Sequence, residues 1–163
     1  LKSGDHLEIQ GPFGNCYYQP EKPDQNMLLV GNGTGLAPLI GIARDALASG
    51  HKGPVYLYHG SHSVNGVYLG NELRSMEVAH QNFHYIPCVS GDIDGEIDGL
   101  RAGRADDIAF ADQPDLAGWR VFLCGYPPMV HSAKDRSLLA GAKIEDIYTD
   151  PYELKDLRKI ART

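Results

Sequence analysis

The residues best suited to chemistry are the glycines and threonine of Gly31-Asn-Gly33-Thr34-Gly35, followed at once by Leu-Ala-Pro38. An apolar run, Met27-Leu-Leu-Val30, leads straight into them. Glycine lets a backbone turn sharply and approach a ligand closely. The N–H groups left unpaired at a helix start face such a ligand, and the helix dipole favours negative charge there. Pro38 suits the first turn of that helix, where its missing N–H costs nothing. The chemistry implied is the holding of a phosphate group, and a diphosphate-bearing ligand fits best. A plain strand-to-helix turn is the alternative.

Two familiar phosphate loops are tested by spacing. A nucleotide-hydrolase loop ends in Gly-Lys-Ser/Thr, and no lysine lies between Met27 and Gly50. The dehydrogenase fingerprint G-x-G-x-x-G needs glycine at 36, where the chain has Leu36, and an acid after the next strand. That strand, Val55-Tyr-Leu-Tyr-His59, runs into Gly60-Ser61-His62 instead. Other chemistries find no support. His59 and His62 are three apart across a strand end, which does not converge on a metal as it would on a helix. No nucleophile motif of the G-x-S-x-G type is present. Three widely separated cysteines, Cys16, Cys88 and Cys124, rule out an iron–sulfur or zinc site built on this chain's thiolates alone. No metal site is expected.

The elements that must position the loop alternate between strand and helix. Helical spacing runs from Leu36 to Ser49 and stops at Gly50; a second helix is predicted from Val67 to Ala79, with Leu69, Leu73 and Met76 on one face. Phe83 to Val89 reads as a strand, Ser90 to Gly99 as a Gly/Asp-rich connection, and Leu100 to Asp107 as a short helix. Val121 to Cys124 is a buried type of strand, Pro128 to Ala140 a helix closed by Gly141, and Ile144 to Tyr148 a fifth strand. A polar helix from Glu153 to Ala161 completes the series. Short apolar strands separated by helices predict an α/β fold, a doubly wound five-stranded parallel sheet. In the order 3-2-1-4-5, strands one and four meet at the switch point, so Gly31–Gly35 and Cys124-Gly125 line one crevice.

Composition agrees with one globular domain: 163 residues, 42% hydrophobic and 22% charged. A net charge of −6 without a basic run argues against nucleic acid or an anionic membrane as the main partner. No apolar run approaches the ~20 residues of a membrane span, and no secretory leader is visible at the start. The scattered, odd-numbered cysteines fit a reducing compartment, and the cytoplasm is expected. Residues 1–26 stand outside the alternating pattern. Ser3 to Gly14 reads as one strand and a turn, followed by a linker. A lone strand has no hairpin partner here. It is expected to be the remnant of a preceding domain, or else an edge strand of the main sheet.

Four motifs in order bring out a resemblance. Gly11-Pro12-Phe13-Gly14 resembles the closing turn of the flavin-binding barrel in the ferredoxin–NADP reductase superfamily, and Gly31–Pro38 resembles its pyrophosphate loop. Tyr58-His-Gly60 followed by Glu72-Leu73 resembles the second strand and the helix after it. Cys124-Gly125-Tyr-Pro-Pro-Met129 resembles the C-G-x-x-x-M motif after the fourth strand. The tone is closest to bacterial reductase components that serve oxygenases. The resemblance implies three parts: 1–26 from a flavin-binding barrel with its linker, 27–152 an NAD(P)-binding domain, and 153–163 an extension.

It also implies function and roles. The chain would be the nicotinamide-nucleotide half of an enzyme that moves hydride from NADH or NADPH to FAD, with electrons passed to a protein acceptor, a ferredoxin or an oxygenase component. Gly31, Gly33, Thr34, Gly35 and Pro38 would hold the pyrophosphate, with Gly60, Ser61 and Ser90 on the cofactor-binding side of the sheet. Cys124, flanked by Gly125 and Met129, would lie near the nicotinamide, or else be a small buried hydrophobe. Pro12 would touch FAD, most of whose site would lie in the upstream domain. Tyr152 would cover the flavin face, or else be ordinary surface packing. NADPH-preferring members place Ser-Arg after the third strand; here Ser90 precedes Gly91 and then Asp92, Asp94 and Glu96, which repel a 2′-phosphate and favour NADH. Arg101 and Arg104 could fold back toward that phosphate. His62 sits where some relatives place arginine. A nucleotide-sensing or interaction module within a larger redox complex, not catalytic by itself, is the alternative function.

Overall fold

The structure, a computed structural model, describes residues 2–8, 14–93 and 99–153. The described residues build one parallel sheet. In chain order its elements are β1 (Met27–Asn32), α1 (Leu36–Ala48), β2 (Val55–Ser61), α2 (Gly70–Ala79), β3 (Phe83–Val89), β4 (Arg101–Ala102), α3 (Ala105–Asp112), β5 (Arg120–Gly125), α4 (Pro127–Leu139) and β6 (Ile147–Pro151). The sheet order is β4-β3-β2-β1-β5-β6. The five longer strands thus stand in the 3-2-1-4-5 order expected from the sequence. The sixth, β4, is a two-residue addition at the edge, pairing Arg101 with Cys88 and Ala102 with Val89.

Alternate residues of each strand feed two cores. Met27 and Leu29 of β1 and Phe122 and Cys124 of β5 join Leu36, Leu39, Ile42 and Ala43 of α1 and Leu73 of α2. Leu28, Val30, Val121 and Leu123 join Ile108 and Ala109 of α3 and Met129, Val130 and Ala133 of α4. Strands apolar on both faces need helices on both faces, which is the doubly wound arrangement. The register puts Gly31 beside His59 on one side and Cys124 on the other. The carboxyl ends of β1, β2 and β5 therefore open at one edge, where ligands bind in open α/β sheets.

Several local expectations are corrected. The helix read from Val67 begins at Gly70, because Leu69 holds a left-handed backbone (φ 56) that no right-handed helix accommodates. Leu69 is consequently exposed rather than sharing a buried face with Leu73. The helix read from Leu100 is instead β4 followed by α3: Gly103, at φ 131, breaks the chain between them. Ile144 lies in a 3₁₀ turn, Ile144–Asp146, so the last strand begins only at Ile147.

Of the lone strand read near the start, residues 2–8 carry no sheet pairing, and its turn at 9–13, Pro12 included, lies outside the described residues. The segment that follows is tied to the sheet. Tyr18 is buried in the α1-side core with its hydroxyl 3.2 Å from His51 Nδ1. Arg120, buried at the start of β5, donates to the Gln19 carbonyl at 2.6 Å and to Gln25 Oε1 at 3.1 Å. The terminal helix read after Glu153 lies outside the described residues.

Candidate functional site

Gly33-Thr34-Gly35 form a single 3₁₀ turn between β1 and α1, and no side chain caps the first turn of α1. The Leu36 N–H that opens α1 donates back to the Gly33 and Thr34 carbonyls, and Pro38 has none, so the glycine turn itself is what faces a ligand. Two glycines explain the loop's path. A Cβ on Gly35 would collide with the Cys124 carbonyl oxygen and sit 2.7 Å from the Cys124 carbonyl carbon and 2.9 Å from Gly125 Cα. Gly125 turns at φ 119, a conformation L side chains rarely adopt, and a Cβ there would strike the Asn32 side chain. The two loops thus touch backbone to backbone at the β1/β5 switch. Asn32 locks them, its Oδ1 accepting the Tyr126 N–H at 2.9 Å.

Two clefts open from this junction, sharing Asn32 and Gly33. The first, about 220 Å³, runs over the ends of β2 and β3 between Gly60, Ser61, His62 and Ser90 on one side and Arg104, Asp106 and Met129 on the other. The second, about 330 Å³, lies over β5 and β6 and is walled by Thr34, Gly125, Tyr126, Pro127 and Tyr152. A glycine turn flanked by a cleft on each side matches a ligand with a diphosphate middle and two ring-bearing ends. The residues fit a dinucleotide.

The first cleft is polar, and its charges are already paired. Arg104 donates to Asp106 from both Nε (3.2 Å) and Nη2 (3.1 Å) and lies 3.6 Å from Asp107. Arg136 reaches the same two carboxylates at 3.6 and 2.8 Å. Arg101 faces away, bidentate with Asp112 at 3.0 and 3.3 Å. Neither Arg101 nor Arg104 stands as an unengaged cation for a phosphate. His62 leans on Gly91, whose N–H donates to the His62 carbonyl at 3.0 Å. The acids Asp94 and Glu96 lie outside the described residues.

Tyrosines strap the loop from the other direction. Tyr68 donates to the Gly33 carbonyl at 3.1 Å and Tyr152 to the Thr34 carbonyl at 3.2 Å. The Tyr152 N–H donates to the Gly125 carbonyl at 2.9 Å, so this residue spans both loops. Desolvation, aided by the Asp150 charge, pushes its phenol up to about 12, and it acts as a neutral donor. Beneath Tyr68 lies His59, fully buried, its ring 5.2 Å from that of Tyr68 in an edge contact. Burial lowers His59 to about 4, so the imidazole is neutral at physiological pH.

The sequence-derived candidates divide. Gly33, Thr34, Gly60, Ser61, Ser90, Gly125, Met129 and Tyr152 line the two clefts, whereas Gly31 and Gly35 are buried behind them as spacers. Pro38 is the third residue of α1, half-buried. Cys124 lines neither cleft. It is buried on the α1 face, with its Sγ 3.7 Å from Cys16 Sγ. Asn32, Tyr68 and Asp106 are participants that sequence reasoning passed over. Asn32 stood in plain view between two loop glycines; nothing in the sequence marks Tyr68 or Asp106. Among the described residues, no group of three metal-ligating side chains converges, and no helix is long and apolar enough to cross a membrane.

Comparison with known proteins agrees with this geometry. The oxidoreductase NAD-binding domain profile matches residues 29–135, and the chain belongs to that family. It is 35% identical over 153 residues to the ferredoxin–NAD(P)(+) reductase component of the naphthalene 1,2-dioxygenase system of Pseudomonas putida, spanning 93% of this chain and 45% of that protein. It is 37% identical over 134 residues to the aromatic O-demethylase reductase subunit of Amycolatopsis sp., spanning 81% of this chain and 39% of that one. An Amycolatopsis cytochrome P450 reductase crystal structure superposes with a TM-score of 0.84 at 33% identity, over 93% of this chain and 45% of that one. The chain spans less than half the length of these relatives.

Proposed function

We propose that this chain is the NADH-binding half of a flavin-dependent reductase that delivers electrons to a protein acceptor. The observation that carries the reading is the pair of clefts flanking one glycine turn at the β1/β5 switch. The backbone of the Gly33–Gly35 turn and the Thr34 hydroxyl hold the diphosphate. Ser61, His62 and Ser90 receive the adenosine end. Gly125, Tyr126 and Tyr152 receive the nicotinamide end, with Gly125 leaving room for the ring. FAD, held chiefly by an upstream barrel to which residues 1–26 would connect, would supply the acceptor for the nicotinamide hydride.

The chain's own contribution is positioning, since hydride transfer needs no general acid or base. Asn32 fixes the distance between the two loops. Tyr152, standing over them, is the candidate cover that excludes water from the reacting faces. The paired state of Arg104 supports NADH over NADPH, because a 2′-phosphate entering the first cleft meets an arginine already neutralised by Asp106 and Asp107. The relatives named as reductase components of oxygenase systems support a ferredoxin or an oxygenase component as the acceptor. The test has two stages. The chain alone is expected to bind NADH saturably without carrying yellow flavin. Joined to an upstream flavin-binding barrel, it is expected to reduce ferricyanide or cytochrome c with NADH. Binding with no such reduction would instead support a sensing module.

A further inference from the structure

Cys16 and Cys124 are 108 positions apart in sequence, yet their sulfurs are 3.7 Å apart. They are unequal partners. Cys124 is fixed in β5, fully buried, and its carbonyl abuts Gly35 in the wall between the clefts. Cys16 lies on an irregular segment, partly exposed to solvent. Cys88, the other cysteine, is buried in the opposite core, where burial pushes its thiol up to about 12. A disulfide requires sulfurs about 2.05 Å apart. The pair is already in van der Waals contact, and an approach of about 1.6 Å brings the sulfurs to bonding distance.

We propose that Cys16 and Cys124 form a reversible, peroxide-sensitive disulfide that fastens the leading segment to the back of the crevice. The Cys16 sulfur attacks one oxygen of hydrogen peroxide; the O–O bond breaks, one water leaves, and Cys16 becomes a sulfenic acid. The Cys124 sulfur then attacks Cys16 Sγ, the S–O bond breaks, and a second water leaves with the Cys124 proton. Two thiols lose two electrons in all, and one peroxide becomes two waters. The division of labour follows the environment. The hydrogen bond from Cys124 holds the Cys16 thiol below its ordinary range, which favours the reactive thiolate on the accessible partner. The same contact, together with burial, pushes the Cys124 thiol upward, so it stays protonated and Cys16 is the first to be oxidised; its position 3.7 Å away makes Cys124 the resolving partner. A further consequence rests on the proposed function: residues 14–26 would lead from the flavin-binding half, and the bond would fix their path against β5.

The test is thiol counting on the whole chain. Reduced protein is treated with hydrogen peroxide, quenched, denatured and titrated for free thiols, then mapped by peptide mass. The expected result is loss of two of the three thiols, a Cys16–Cys124 linked peptide, full reversal by dithiothreitol, and a thermal midpoint several degrees higher when oxidised. The Cys88→Ser variant should still form the link, and Cys16→Ser should keep both remaining thiols free. Three thiols persisting, a link between chains, or Cys16 oxidised without a link would overturn the proposal. A parallel NADH titration of the reduced chain separates the two readings. Cross-linking without NADH binding would sink only the proposed function, and NADH binding without cross-linking only the disulfide.

Discussion

The cleft over β2 and β3 and the cleft over β5 and β6 share two residues and little else. The first is walled by serine hydroxyls, an imidazole and a carboxylate–guanidinium network; the second by Thr34, glycine, proline and two tyrosines, with no charged side chain. A symmetric ligand would have no use for this asymmetry. A dinucleotide does, since its adenosine end carries the 2′-position that distinguishes NADH from NADPH, whereas its nicotinamide end must lie flat against a second ring. On the proposed reading, specificity is concentrated in the first cleft and geometry in the second, with Asn32 and Gly33 as the joint between them.

The largest effect should come from destroying the wall that separates the clefts. Gly35→Ala places a methyl group against backbone atoms of Cys124 and Gly125, and no flexible side chain is there to give way. Destabilisation of about 3 kcal/mol is expected, a fall of roughly 6–12 °C in thermal midpoint, with NADH binding lost from both clefts together. A Gly35→Ala chain that retains both stability and binding would break the two-cleft description.

A similar magnitude is expected from pH, acting below the loop. His59 is lowered to about 4 in the fold against an ordinary 6.5, so between those values the unfolded chain binds the extra proton. Its contribution is fully present above pH 6.5 and is lost as pH falls toward 4, up to about 3 kcal/mol. Denaturant midpoints measured across that window should drop, and His59→Leu should flatten the slope there.

The contrast between the clefts is sharpened by a variant of the first alone. Asp106→Asn weakens the hold on Arg104 and should narrow the preference for NADH over NADPH by about tenfold, equivalent to ~1.4 kcal/mol. Steady-state binding of both nucleotides checks it, with circular dichroism to confirm the fold. The smallest effect is expected in the second cleft. Tyr152→Phe removes one exposed hydrogen bond to the Thr34 carbonyl, so NADH affinity should fall roughly two- to fivefold, with no change in the NADH/NADPH ratio. A change in that ratio would mean that the division between the clefts is wrong.

What the sequence made legible follows its periodicity. Buried strands such as Met27–Asn32 and Phe83–Val89 announce themselves as continuous apolar runs, and the glycines of the loop mark its turn. Two kinds of feature stayed hidden. Edge elements such as β4 and the left-handed Leu69 depend on tertiary contacts, here the pairing with Cys88 and Val89 and the Tyr68 bond to Gly33, which have no local signature. The Arg104–Asp106–Arg136 network joins α3 to α4, and residues 30 apart in sequence show no pattern that would bring them together. Cys124 illustrates a subtler limit. Its neighbour Gly125 belongs to the crevice, but strand alternation turns the thiol itself to the opposite side, toward Cys16.

The central claim is that this crevice takes one nicotinamide dinucleotide across both clefts, and calorimetric titration of the chain with NADH and NADPH tests it most directly. The account predicts one saturable site per chain with NADH bound more tightly than NADPH. Absence of saturable binding by either nucleotide would contradict the claim, and tighter binding of NADPH would contradict the reading of the first cleft.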